Sequence, residues 1–408
     1  MKQMLITLVL LALVAVSVVL RTRAPSTAIH SLASAPEATE ESTVVISMLY
    51  SPEKKAWIEW AQDQYVRENP GVQVKLTPLE SKASIEALLL GQEQPVVWSP
   101  ESRLELGEAA ARFHKQTGRS LYSDSTSFAP VSLVETELVL VAWESRAQVL
   151  DAYLRKNGGE KPGVWQRLIE AAASPAGWRA LEGPARWGSV KLGYTDPLHA
   201  NSGLWTLYLG CLEALGATEL SPEQLDDPAV VELLRAASAR EEAPLTSDSE
   251  LLQRMGQFGP SHYDMVVVDE NLAIGALDIP AQRWERLVLV YPPRLAANDH
   301  PAVVLDLEGI SDEQKGAALG WIRFLRSRPV QLEAIRHGFR PSDPSLRLLE
   351  TPDDSPFAAH FRQIDERLEG TEKVLPPRGE VIDLLVQRLR DEEVKPRTGS
   401  GDFFVLQH

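Results

Sequence analysis

The chain has 408 residues, 41 of them basic and 57 acidic, for a net charge of −16. That balance excludes general nucleic-acid binding and broad adhesion to anionic lipid, both of which rest on Lys and Arg. The one cysteine, Cys211, excludes an intrachain disulfide and a cysteine-cluster metal site, and the length calls for two packed lobes or domains.

The chain opens with Lys2, an apolar run from Met4 to Leu20, and then Arg21 and Arg23. At 17 residues the run is long for a signal-peptide core and short for a membrane span. No close cleavage signal and no lipid-bearing cysteine follow it. Residues 1–23 therefore read as an export signal peptide or membrane anchor. Residues 24–43, rich in Ala, Ser, Thr and Pro without an apolar period, read as a flexible tether.

From there short apolar runs alternate with helical patterns, which predicts an α/β layer architecture. Val44 to Tyr50 is a strand that runs into Ser51-Pro52-Glu53, a helix start with a serine cap and a first-turn proline. The helix carries Trp57, Trp60 and Ala61 on one face and stops near Asn69-Pro70-Gly71. Val72 to Leu76 is a second strand, Ser81 or Ser84 opens a second helix, and Pro95 to Trp98 is a third strand ending at Ser99-Pro100. Two strand–helix repeats in about fifty residues imply right-handed crossovers and a parallel sheet. Residues 140–285 read as more helical. There Asn201-Ser202-Gly203 is expected to cap an apolar helix running to Leu215, with Cys211 buried in it. Met265 to Val268, Leu287 to Tyr291 and Ala302 to Leu305 are short strands, and Ser311-Asp312-Glu313-Gln314 is a capping box. Arg328-Pro329 starts a further helix closed by Gly338, and Val381 to Leu389 is the last.

No catalytic motif is present. The phosphate loop, the dinucleotide fingerprint, the nucleophile elbow and the HExxH zinc pair are all missing, and the eight histidines are scattered. The reading is of a non-enzyme with no catalytic residue, no cofactor and no metal ligand. What does recur is a hydroxyl residue at the end of a strand, opening a helix whose first N–H groups lack partners. Ser51, Ser99 and the Thr195…Asn201-Ser202-Gly203 turn fit this pattern. Taken singly each serine reads as a helix cap; together they form a candidate ligand site. Glu270 and Thr136 are weaker candidates near the expected hinges.

These segments, SPEKKAW, VVWSPES, LGYTDPLHANSGLWTLYL, DMVVVDENLAI, LVLVYPP and SDEQKGAALGWIRFLRS leading to GFRPSDP, resemble the type II periplasmic or extracellular solute-binding proteins. The likeness is greatest to the sulfate-, molybdate- and tungstate-binding group and to solute-binding modules found beside von Willebrand A domains. It covers residues 44–395. The resemblance implies an α/β, two-lobed type II periplasmic binding protein fold with a hinge between lobes. Lobe one would be 44–138 plus 289–345, and lobe two 139–288. Residues 346–395 would pack on lobe one, and 396–408 would be a tail. It also implies a monomer that binds a small-molecule solute, an oxyanion among the options, and delivers it to a membrane permease of an ABC-type transporter. The location would be periplasmic or extracellular, with the N-terminal segment in the inner membrane and no nucleic-acid partner. A membrane-tethered sensor or assembly module of the same fold is the alternative.

Overall fold

The computed structural model describes residues 43–394 apart from 124, 126, 158–162, 240–244, 278–282 and 350–353. The expected anchor of residues 1–23, the tether up to 42 and the tail of 396–408 lie outside the described residues. Among the described residues, no helix is long and apolar enough to cross a membrane.

Among the described residues, twelve strands in chain order carry the architecture: β1 (Val44–Tyr50), β2 (Val72–Pro78), β3 (Val97–Ser99), β4 (Val131–Ser132), β5 (Val134–Trp143), β6 (Leu192–Gly193), β7 (Met265–Asp269), β8 (Leu287–Val290), β9 (Arg294–Asn298), β10 (Pro301–Val304), β11 (Arg340–Pro341) and β12 (Glu372–Val374). They form two sheets. The first has the order β2-β1-β3-β10-β4, with β1 parallel to both neighbours and β10 antiparallel to β3 and β4. The second is built on β5, which pairs antiparallel with β7, β8, β9 and β11 along its length; β6 is parallel to β7, and β12 to β9.

The ten residues of β5, VETELVLVAW, are the element the sequence pattern shows least. An unbroken apolar run fits a buried strand or a buried helix equally well. Pairing on several sides buries every residue from Thr136 to Trp143, which resolves the ambiguity in favour of a strand.

The chain passes between the sheets over the long stretch from β10 to β11 and at two short links, Leu133 between β4 and β5 and Asp299-His300 between β9 and β10. The two short links lie side by side, with the Leu133 amide donating to the His300 carbonyl at 3.2 Å. His300 sits at a φ of 38°, an uncommon conformation for a residue with a side chain.

Each sheet has its own apolar core. Trp57, Ile58, Trp321 and Phe339 pack on the first sheet, and the Trp57 indole donates to the Val330 carbonyl at 3.0 Å. On the second, Trp165, Trp205, Leu209 and Leu212 gather around the helix Asn201–Leu215, which is buried almost throughout. Cys211 is fully buried in that helix, and burial pushes its thiol up to about 12. The last helix, Gly379–Val394, packs on both the helix Pro228–Ser238 and the helix Arg103–Thr117.

Candidate functional site

A cleft of about 720 Å³ lies between the helix starts that follow the first-sheet strands and those that follow the second-sheet strands. Strand register supplies part of its floor. Leu138 of β5 stands opposite Asp269 and Thr136 opposite Asn298, so the ends of β7 and β9 arrive at one place. The helices Arg103–Thr117, Asn201–Leu215, Asp248–Phe258 and Glu270–Ala276 all begin near it. Their free N–H groups and aligned dipoles favour negative charge there.

Among the residues singled out in sequence, Asn201 and Ser202 line the cleft. Thr195, Ser202 and Gly203 are joined in a directed chain. The Gly203 amide donates to the Thr195 hydroxyl at 2.9 Å, and the Ser202 hydroxyl donates to Asp248 Oδ1 at 2.6 Å. Since the single Ser202 proton is thus committed, Thr195 is the donor across the 2.7 Å separation between the two hydroxyls. The helix begins at Asn201 itself with Ala200 as its cap, and no side chain caps it. Gly203 is required by space: a Cβ there would stand 2.2 Å from the Thr195 carbonyl oxygen.

Ser51 and Ser99 are brought together, with the Ser51 amide donating to the Ser99 carbonyl at 3.1 Å. Neither lines the cleft, although Pro52 and Glu53 do. The Ser51 hydroxyl accepts from Lys54 Nζ and donates to Glu53, so it leaves the helix start uncapped. Charged partners outcompete a backbone amide for it. The Ser99 hydroxyl is buried without a partner. Thr136 accepts from the Asn271 amide at 3.2 Å and donates to its side-chain oxygen at 3.3 Å. Glu270, fully buried, is held by both Arg340 nitrogens, Nε at 2.6 Å and Nη2 at 2.8 Å, and by the Tyr291 hydroxyl. These two residues tie β5, β8 and β11 to the helix Glu270–Ala276, and neither lines the cleft.

The functional groups that sequence reasoning missed are acids. Glu101, Glu105, Asp248 and Asp269 line the cleft beside Asn201 and Ser202. Asn298 organises them: its amide donates to Glu101 at 3.0 Å and to Asp269 at 2.9 Å, and its oxygen accepts from Asn201 Nδ2 at 2.8 Å. Asn201 also reaches across to the Ser102 hydroxyl at 3.3 Å. Ser102 and Glu105 form the capping box that starts the helix Arg103–Thr117. That S-x-x-E spacing was a signal available in the sequence.

Burial and mutual repulsion hold these carboxyls above the ordinary range. Asp248 is pushed up to about 7 chiefly by burial, with Glu53 and Glu80 adding to it. Glu101 and Asp269 rise well above their usual values, first through burial, then Glu101 through Asp269 and Glu53 and Asp269 through Asp248 and Glu53. Both carboxyls accept from the one Asn298 side-chain nitrogen, so two like charges are brought close together there. Glu53 goes the other way. Burial pushes it up, but the Lys54 ammonium beside it and His300 outweigh burial and hold it well below the carboxylate range.

The residues from 46 to 340 match the family described as bacterial extracellular solute-binding proteins. Two proteins of Mycobacterium tuberculosis strains, both uncharacterized, are 28% identical over 252 residues, 61% of this chain. The match spans 34% of those relatives' length. Among solved structures, an ABC transporter structure from Clostridium perfringens is similar at TM-score 0.55 and 10% identity, covering 85% of this chain and 99% of that one. A Trichodesmium protein in complex with iron and citrate is similar at TM-score 0.50 and 10% identity, over 86% of this chain and 100% of that one. At these identities the structural likenesses speak for the fold alone, which is the two-lobed type II fold expected from the sequence motifs.

Proposed function

The chain belongs to the bacterial extracellular solute-binding protein family, and we propose that it captures a small solute between the two sheets and delivers it to the membrane permease of an ABC-type transporter. The observation that carries this is the cleft of about 720 Å³ crossed by the contact from Asn201 to Ser102. Hydrogen bonds between opposite walls favour a closed form, and a solute contacting both walls stabilises it further. The passages at Leu133 and at Asp299-His300 are the hinge in this reading. With the hinge there, the first lobe is built on 44–132 with 301–339 and the second on 134–298. Export leaves residues 1–23 as the anchor, so the full chain fractionates with membranes.

The test is thermal. A bound solute raises the melting temperature by mass action, and its binding contracts the protein in small-angle scattering. Ser202→Ala weakens that binding roughly tenfold through loss of the Asp248 contact. A solute that binds with no contraction and no sensitivity to Ser202→Ala contradicts a cleft site.

One observation favours a second reading, the tethered sensor. The match covers 34% of the two relatives' length, so this fold occurs there as one part of a longer chain. Loaded protein that leaves the ATPase rate of its reconstituted permease unchanged would favour the sensor.

A further inference from the structure

The cleft lining has the opposite charge to an oxyanion. Glu101, Glu105, Asp248 and Asp269 meet there, and the basic groups nearest to them are engaged elsewhere. Lys82 is paired with Glu108, Arg112 with Glu86 at 2.7 Å and Glu108 at 3.2 Å, Lys54 with Glu53 at 3.3 Å and His199 with Asp196 at 2.6 Å, while Arg390 lines the cleft without pairing with any of the four acids. Among the described residues, none of the four carboxyls has an ammonium or guanidinium within ion-pair distance. Balancing of helix dipoles accounts for part of this acidity. It does not account for Asp269, which occupies the cap position of its helix yet accepts no amide from it. Asp269 faces Asn298 and another acid instead.

A second observation is independent of charge. Asn201 is 3% exposed and lines the cleft, and its side-chain oxygen has no donor. The amide's orientation is fixed, because Nδ2 is held by Asn298 and Ser102 and Asn298 is itself fixed by two carboxyls. One oxygen of Glu105 is likewise buried without a donor. Buried acceptors without donors are rare and costly, so they call for an explanation. An anion brings only more acceptors. A solute with N–H groups and positive charge brings what both atoms and all four acids lack.

We propose that the solute is a small organic cation, its ammonium or guanidinium N–H groups held by Glu101, Glu105, Asp248, Asp269 and the Asn201 side-chain oxygen. This deepens the solute-binding reading above and rests on it. A metal ion fits less well, since no group of three or more His, Cys, Asp or Glu among the described residues is placed to hold one. Glu101 and Asp269 share one Asn298 nitrogen, so their repulsion in the unloaded cleft favours the protonated form. A bound cation favours the ionised one, and binding tightens as pH rises. The other charged or titratable groups that line the cleft or act on these acids are Glu53, Glu80, Glu86, Glu108, Lys54, Lys82, Arg112, His199 and Arg390.

The full chain, dialysed free of bound solute, is titrated calorimetrically with putrescine, spermidine, L-arginine and choline, and separately with sulfate, molybdate and maltose. A probe with N–H groups is expected to bind more tightly than choline, which has none, and more tightly at pH 8 than at pH 6. Glu101→Gln and Asp269→Asn each weaken it roughly ten- to a hundredfold, the range for a hydrogen bond to a charged group. Both changes keep the side-chain shape, and an undiminished melting temperature in solute-free buffer shows that the variants are folded. Asn201→Ala weakens binding several-fold. Sulfate, molybdate or maltose binding while every cation is inert would overturn the charge assignment and leave solute capture standing. Silence from both panels overturns both readings. Cation binding unaffected by Glu101→Gln and Asp269→Asn overturns the site.

Discussion

Asp269 and Glu270 are neighbours in the chain, both almost fully buried, and they have opposite surroundings. Glu270 is clamped by Arg340 through two nitrogens and by Tyr291, and Arg340 completes its own bonding on the Asp365 and Glu366 carbonyls at 2.8 and 3.0 Å. Asp269 has an amide, Asn298, and a second carboxyl, Glu101. One acid thus has a resident cation and the other has none. The difference separates two uses of buried charge: Glu270 fixes the helix to β5 and β11, while Asp269 leaves electrostatic capacity to an incoming group.

The largest effect that could break this contrast is on Arg340. Arg340→Met strands the Glu270 charge in the interior, and removing one partner of a buried pair is expected to cost about 3–5 kcal/mol in urea unfolding. Asp269→Asn removes a charge with no cation partner and should leave the free protein as stable or more so. A loss below about 1 kcal/mol for Arg340→Met, or a comparable loss for Asp269→Asn, would erase the distinction.

Steric demand gives the next test. Gly203→Ala places a methyl 2.2 Å from a backbone oxygen of the Thr195 turn, and overpacking of this kind costs about 1–3 kcal/mol. Gly316 lies on the exposed face of the helix Asp312–Leu325 with open space at its Cβ, so Gly316→Ala should stabilise by up to about 1 kcal/mol. Equal melting temperatures for the two variants would mean that the close approach at Gly203 relaxes without cost.

How legible these features are in sequence follows from how local their causes are. β1, β2, the Ser311 capping box and the αL turn at Gly338 come from residues within a few positions, and they lie where the pattern puts them. β5 does not, because its strand character comes from partners more than a hundred residues away. The same holds for the cleft. The Thr195–Gly203 turn is readable because a hydroxyl, an amide side chain and a glycine cluster in nine residues. Glu101, Asp248 and Asp269 each look like ordinary solvated acids in a chain of net charge −16. Only the fold shows that Glu101 and Asp269 meet at Asn298 and that Asp248 joins them through the Asp269 amide. The choice between Asp269 and Glu270 is set by Arg340, seventy positions from Glu270.

A smaller effect sharpens the Asp248 side of the comparison. Ser202→Ala removes the 2.6 Å donor to Asp248 and the acceptor for Thr195, for an expected loss of about 0.5–1.5 kcal/mol in the unliganded protein. The helix start itself should be unaffected, since Ser202 does not cap it. An unchanged stability would indicate that the hydroxyl chain contributes nothing without solute.

The remaining expected effect is a slope. Asp248 is held near 7 when folded, mainly by burial, and near 4 when unfolded. Between those values the native state binds more protons than the unfolded state. The stability from this group is therefore complete below about pH 4, falls as pH rises, and levels off above about pH 7. Glu213, pushed up to about 7, and Glu137, up to about 6, act in the same direction, again mainly through burial. Glu53 acts oppositely: held low by Lys54, it contributes stability that is lost only as pH falls below the ordinary carboxylate range. Melting temperature measured from pH 4.5 to 8 should decline for the free protein, and Asp248→Asn, which cannot titrate, should make the decline shallower. Glu270→Gln would instead lower stability at every pH, because its partner Arg340 stays charged throughout. Identical slopes for the native chain and Asp248→Asn would mean that Asp248 ionises freely, and the contrast between an acid waiting for charge and an acid already supplied with it would rest on Asp269 and Glu101 alone.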